Sequence, residues 1–115
     1  MSLKESLSIM LKEINEKIRK DNVLQSIQDQ YKGRKFILNI DNEEYYKFNI
    51  TPEDIILESM KELELKPTDM YIKIDRERAI KFIKLKRLRL GDLRFIEHKN
   101  ITVKELKLYK KLQLM

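Results

Sequence analysis

Apolar residues recur along this chain first with the spacing of a helix and then with that of a strand. Leu3, Leu7, Met10, Leu11, Ile14 and Ile18 share one helical face, with Lys4, Lys12, Glu13, Glu16 and Lys17 between them. That pattern predicts an amphipathic helix laid on an apolar surface. Asp21 and Asn22 can cap a second, shorter helix whose inner edge is Leu24, Ile27 and Tyr31, and Gly33 closes it. The period then drops to two. Phe36, Leu38 and Ile40 fall on one face, a polar turn follows at Asp41–Glu44, and Tyr46, Phe48 and Ile50 alternate on the return, which predicts a hairpin. Ile37 and Tyr45 occupy its other face, so that face is not wholly wet.

The segment "TPEDIILESMKELEL" reads two ways. Thr51, Pro52, Glu53 and Asp54 suit a helix start with Pro at the first position, and they equally suit a type I turn into a strand at Ile55–Leu57. "MYIKID" alternates cleanly, with Met70, Ile72 and Ile74 opposite Tyr71 and Lys73. Asp75 can cap a helix over "RERAIKFIKLKRL", with Ala79, Ile80 and Ile83 inward and Phe82 at the edge. Asp92 can cap a further helical turn carrying Leu93, Phe95 and Ile96. "NITVKEL" reads as a last strand with Ile101 and Val103 on one face, and Leu106, Tyr109 and Leu112 suit a closing helix.

The 115 residues predict one domain over 1–115, with no internal repeat or linker. The chain has no cysteine, which excludes disulfides and thiolate chemistry and suits a reducing cytoplasm. Its opening stretch carries charges every few residues, unlike a signal peptide, and no apolar run approaches the ~20 residues that span a bilayer. Charge is unevenly spread. Residues 1–70 hold 11 Lys/Arg against 14 Asp/Glu, while residues 71–115 hold 14 against 5. A basic second half invites nucleic acid or anionic lipid as partner, although a chain with 38% charged residues also decorates its surface with ions.

Catalytic chemistry finds little material. His98 is the single histidine, and Gly33 and Gly91 are the only glycines, so neither a His-pair metal site nor a glycine-rich phosphate loop can form. Glu43 and Glu44 are adjacent turn residues that point apart. Ser2, Ser6, Ser8, Ser26 and Ser59 have no base in prospect. The expectation is a non-enzyme without metal or cofactor. The cations of 76–89 lie at many angles around their helix, and no strand presents paired aromatics among basic residues, which argues against nucleic acid.

From Lys35 onward the order of elements resembles the sterol carrier protein 2 family (the sterol-transfer domain). The resemblance is carried by "TDMYIKIDRERAIKFI", "LRFIEHKNITV" and "ELKLYKKLQLM". Asp69, Ile72 and Ile74 match its strand, and Ala79, Ile80, Phe82 and Ile83 its helix. Phe95 and Ile96 match a paired step, Ile101 and Val103 a strand, and Leu108, Lys111 and Leu112 the closing segment. His98 and "KEL" stand where the family usually places glycines around the last strand, and the chain ends "QLM", without the peroxisomal tripeptide some members carry. The resemblance implies an α+β fold, a five-stranded, mostly antiparallel sheet with helices on one face around an apolar tunnel. It also makes Ile55–Leu57 the third strand.

Such a layer can leave an apolar gap suited to a lipid or fatty-acyl-like guest, because each buried methylene contributes about 0.8 kcal/mol. The expected lining is Ile80, Phe82, Ile83, Phe95 and Ile96, with Leu106, Leu108 and Leu112 as a lid. Lys81, Lys84, Lys86, Arg87 and Arg89 would face outward, toward an anionic membrane surface met transiently. A filled-core interaction module of the same fold is the alternative, a basic nucleic-acid binder the remoter one. A homodimer stays open.

Overall fold

The computed structural model describes residues 2–85, 94 and 96–111, leaving aside the side chains of 106, 108, 109 and 111. Helix α1 spans Leu3–Lys20 and α2 spans Asn22–Tyr31. Ser2 opens α1, its hydroxyl accepting from the Glu5 N–H at 3.2 Å. Asp21 separates the two helices. Its N–H donates to the Ile18 carbonyl, and its carboxylate accepts from the N–H groups of Val23 and Leu24 at 2.9 and 3.2 Å. One residue thus ends the first helix and caps the second.

Strands β1 (Lys35–Ile40) and β2 (Glu44–Ile50) form the expected hairpin. Asp41 and Asn42 both have positive φ, 55° and 57°, and the Glu43 N–H donates to the Ile40 carbonyl. These are the marks of a type I′ turn, whose twist matches that of the strands it joins. Strand β3 (Ile55–Met60) pairs with β2, Ile50 against Ile55 and Phe48 against Leu57. Strand β4 (Met70–Ile74) pairs in parallel with β1, and β5 (Glu97–Lys99) antiparallel with β4. The sheet order is β3-β2-β1-β4-β5, with one parallel and three antiparallel pairings. Helix α3 covers Arg76–Leu85 and α4 Val103–Lys111.

The expected α+β architecture and third strand are therefore present, but the last strand sits earlier than expected. Residues 101–103 do not form it; Glu97–Lys99 do, and Val103 already begins α4. The reason is local. Asn100 adopts φ 58°, and at the start of α4 the Glu105 carboxylate reaches back to accept from both the N–H and the hydroxyl of Thr102.

Phe36, Leu38 and Ile40 of β1 share a sheet face with Phe48 of β2 and Met70, Ile72 and Ile74 of β4. The inner stripes of α1, α2 and α3 close over that face to make the core. On the opposite face one row crosses all five strands in register, Glu58, Lys47, Ile37, Tyr71 and Lys99. Lys47 pairs with Glu58 at 3.1 Å, and the Lys99 ammonium lies 5.9 Å from the centre of the Tyr71 ring. Ile37 at the middle of the row is 1% exposed, so this face is not wholly wet.

Candidate functional site

A cavity of about 170 Å³ lies between the inner face of the sheet and the helices. Apolar cavities of about 150 Å³ stay dry and accept benzene, so the volume here matches one ring-sized hydrocarbon group. From α1, Leu7, Met10, Leu11, Ile14 and Ile18 reach it, and from α2, Leu24, Ile27, Gln28 and Tyr31. Helix α3 contributes Ala79, Phe82 and Ile83, and the floor comes from the inward residues of β1, β2 and β4 with Ile55 of β3.

Two anchors hold the helical wall to the sheet. The Asn15 side chain pairs with the backbone of Ile55, and the Gln28 Nε2 donates to the Thr51 carbonyl at 2.8 Å. Two carboxylates hold the start of α3. Asp75 accepts from the Arg78 N–H, and Asp41, from the hairpin turn, accepts from the Arg76 N–H. Burial raises the Asp75 carboxyl, but its bonds to the Arg78 side chain and backbone outweigh this and leave it below the usual carboxylate range. Arg76 also forms an ion pair with Glu44.

Gln28 and Tyr31 are the polar side chains among the described lining residues. Tyr31 is buried, and its hydroxyl donates to the Glu105 carboxylate of α4 at 3.2 Å. Arg34 and Lys104 stand over the Tyr31 ring at 5.0 and 5.4 Å. The Arg34 Nη2 donates to the Thr68 carbonyl, while its buried Nε has no partner among the described residues. Burial pushes the Tyr31 hydroxyl above its ordinary pKa, helped by the charge of Glu105 and the hydrogen bond to it. For Glu105, burial acts upward, but hydrogen bonds from Thr102 and Tyr31 and the charge of Arg34 prevail and hold it below the usual carboxylate range.

Of the residues expected to line a cavity, Phe82 and Ile83 do so. Ile80 does not. It is 42% exposed, because it sits 100° around α3 from Ala79 while Phe82 and Ile83 flank Ala79 on the inner side. The expected places of Ile80 and Phe82 are exchanged. Ile96 is buried in the core without reaching the cavity. Phe95 and Leu112 lie outside the described residues, as do the side chains of Leu106 and Leu108 in α4. Lys81 and Lys84 are exposed on α3; Lys86, Arg87 and Arg89 lie outside the described residues.

Sequence reasoning missed the largest part of the wall, α1 and α2. Its signal was the apolar stripe of α1, read as a cover rather than a lining. Gln28 was missed because it interrupts the Leu24–Ile27–Tyr31 edge at a core position, where a polar residue is the exception.

Among the described residues no group of three or more His, Cys, Asp or Glu is placed to hold a metal, and no helix is long and apolar enough to cross a membrane. No protein-family model and no curated protein sequence matches the chain. A solved structure described as "UbiJ-SCP2 Ubiquinone synthesis protein" superposes with a TM-score of 0.59 at 9% identity, over 93% of this chain and 90% of that one. At that identity the likeness concerns the fold alone, and the fold of this chain is SCP2-like.

Proposed function

We propose that this chain is a non-catalytic lipid-binding domain of the lipid-transfer type, which holds an apolar guest between its sheet and helices. The observation that carries the reading is the cavity of about 170 Å³, walled almost entirely by Leu, Ile, Met and Phe side chains. A void of this size forfeits dispersion contacts along its whole lining, at a cost a bound hydrocarbon would cancel. The volume takes one ring-sized group, so a longer guest needs the helical wall to shift outward.

Exchange with a membrane is the second part of the proposal. Helix α3 presents Phe82 and Ile83 to the cavity and Lys81 and Lys84 to solvent, with Ile80 and Leu85 exposed beside the lysines. Cations flanked by aliphatics suit the headgroup level of an anionic leaflet, where each contributes about 1 kcal/mol.

Native mass spectrometry of gently purified protein tests the reading. A co-purified hydrocarbon species, displaced by an added fluorescent lipid analogue, is the expected result. Protein that carries no such species and takes up no apolar probe would leave a filled-core interaction module as the better account.

A further inference from the structure

Strand β3 is one edge of the sheet, and only part of its outer backbone is engaged. In an antiparallel ladder the N–H and C=O groups of successive residues point alternately to the two neighbours. Ile50 sends both groups to the β1 side, bonding Arg34 and Gly33, so Ile55 opposite it turns both of its own away from β2. Asn15 receives them. The same alternation puts the N–H and C=O of Leu57 and Ser59 on the free edge, where no described residue meets them. Sheet edges are usually shielded by a bulge, a proline, a lysine or sheer shortness. The opposite edge, β5, has only three residues. β3 runs for six in unbroken register without Pro or Lys, and its one charge, Glu58, is paired with Lys47.

Beside that edge, α1 and β3 flank an open groove of about 380 Å³, lined by Ser8, Leu11, Lys12, Asn15, Arg19 and Leu57. Its two charged side chains are both cations, exposed and outside any ion pair among the described residues. On the other face of the sheet Ile56, next to the same edge, is 45% exposed. We propose that the β3 edge takes an extended acidic peptide of a partner protein as an added strand, its carboxylates in the groove against Lys12 and Arg19 and its alternate aliphatic side chains on Ile56. Backbone pairing to Leu57 and Ser59 supplies affinity, and the two cations choose the sequence. Lys12 and Arg19 lie two helical turns apart, about 10 Å along α1. An extended chain advances about 3.3 Å per residue, so acidic residues two or four places apart reach both. A second copy suits the edge less well. Antiparallel pairing of two β3 strands about a two-fold axis sets both α1 helices on one sheet face, bringing Lys12 and Arg19 toward their own counterparts. The inference goes beyond the lipid-binding reading and does not depend on it.

NMR titration of the full chain with the synthetic peptide TVEVEVT, in which acids alternate with valines, tests the proposal against TVQVQVT and TVKVKVT. The acidic peptide should shift the amides of Leu57 and Ser59 and slow their hydrogen exchange. It should bind about threefold to tenfold more tightly than the glutamine peptide, with the lysine peptide weakest. Lys12→Gln combined with Arg19→Gln alters only exposed side chains and should bring the acidic and glutamine peptides within about twofold of each other. N-methylation of alternate amides in TVEVEVT separates strand pairing from charge. One set of methyl groups should abolish binding and the other leave it, because a strand shows alternate N–H groups to each side. Absence of binding, shifts that avoid β3, no preference for the acidic peptide, or equal binding of the two methylated forms would each overturn the proposal. So would a dimer joined through β3 that the peptide fails to dissociate, which would give the edge to a second copy. None of these outcomes bears on the cavity.

Discussion

Asn15 of α1 grips the backbone of Ile55 at both polar atoms, its Nδ2 donating to the carbonyl at 3.1 Å and its Oδ1 accepting from the N–H at 3.0 Å. A side-chain amide here does what a neighbouring strand would do, and it does so at the start of β3, an edge of the sheet. The pair fixes α1, which supplies the long wall of the cavity, against the strand that supplies part of its floor. Asn15→Ala should lower stability by about 1–3 kcal/mol, read as a shift in the urea midpoint at unchanged slope. Asn15→Asp should cost at least as much at neutral pH, since a carboxylate cannot donate to the Ile55 carbonyl. Loss below about 0.3 kcal/mol for both variants would show that the wall is held by apolar contact alone.

Ala79 provides a test of whether the interior is hollow. Its side chain is buried on the cavity wall. In a filled core, Ala79→Leu overpacks and costs about 1–3 kcal/mol. Against a void of about 170 Å³ the added branch has room, so the variant should fold within about 1 kcal/mol of the wild type or gain slightly. It should also lose at least tenfold in affinity for any ring-sized probe. A strong destabilisation with undiminished probe binding would place the void elsewhere.

Much of this could be read from the residue order, and the errors have physical causes. The inward stripes of α1, α2 and the hairpin follow directly from periods of 3.6 and 2. The third strand was legible only through the family resemblance. Thr51–Asp54 carries helix-start residues, but they serve a turn instead, in which the Thr51 hydroxyl accepts from the Asp54 N–H and the Thr51 N–H meets the Asp54 carbonyl. Capping contributes about 1 kcal/mol, and the six-residue ladder to β2 outweighs it. The displaced last strand has the opposite origin. Ile101 and Val103 alternate as in a strand, yet Thr102 and Glu105, three apart, start a helix. The exchange of Ile80 and Phe82 reflects a stripe in which apolar residues alone do not say which flank faces in. The Tyr31–Glu105 contact was hidden altogether, because its two residues lie 74 positions apart along the chain.

The Tyr31–Glu105 contact should make stability fall on both sides of neutrality. The Glu105 carboxyl lies below its ordinary value of 4.5 in the fold, so its contribution is complete above that value and is lost as pH falls through the folded pKa. The Tyr31 hydroxyl lies above 10.0, so its contribution is present below that value and lost as pH rises past it. Glu105→Gln should reduce the loss of thermal midpoint between about pH 7 and about pH 3. It should not abolish it, because Asp75 is also held low in the fold. An acid profile in Glu105→Gln that overlays the wild type would show that this carboxylate does not couple to folding.

Vesicle binding tests the outer side of α3. Lys81 and Lys84 are exposed while Phe82 and Ile83 face the cavity, so charge can be removed there without touching the wall. Lys81→Gln combined with Lys84→Gln should leave the urea midpoint within about 0.5 kcal/mol of the wild type. If the two lysines meet an anionic leaflet, their joint loss removes about 2 kcal/mol, which is about thirtyfold in partitioning. The same change should matter little on vesicles of neutral lipid, and raising salt should weaken wild-type binding to anionic vesicles, because the Debye length shrinks to about 3 Å near 1 M. Ile80 and Leu85, exposed beside the lysines, predict a salt-resistant remainder that Ile80→Ser should reduce. Co-sedimentation that ignores lipid charge, salt and the double variant alike would mean that the lysines only solvate the helix and that delivery to membranes is not part of what this domain does.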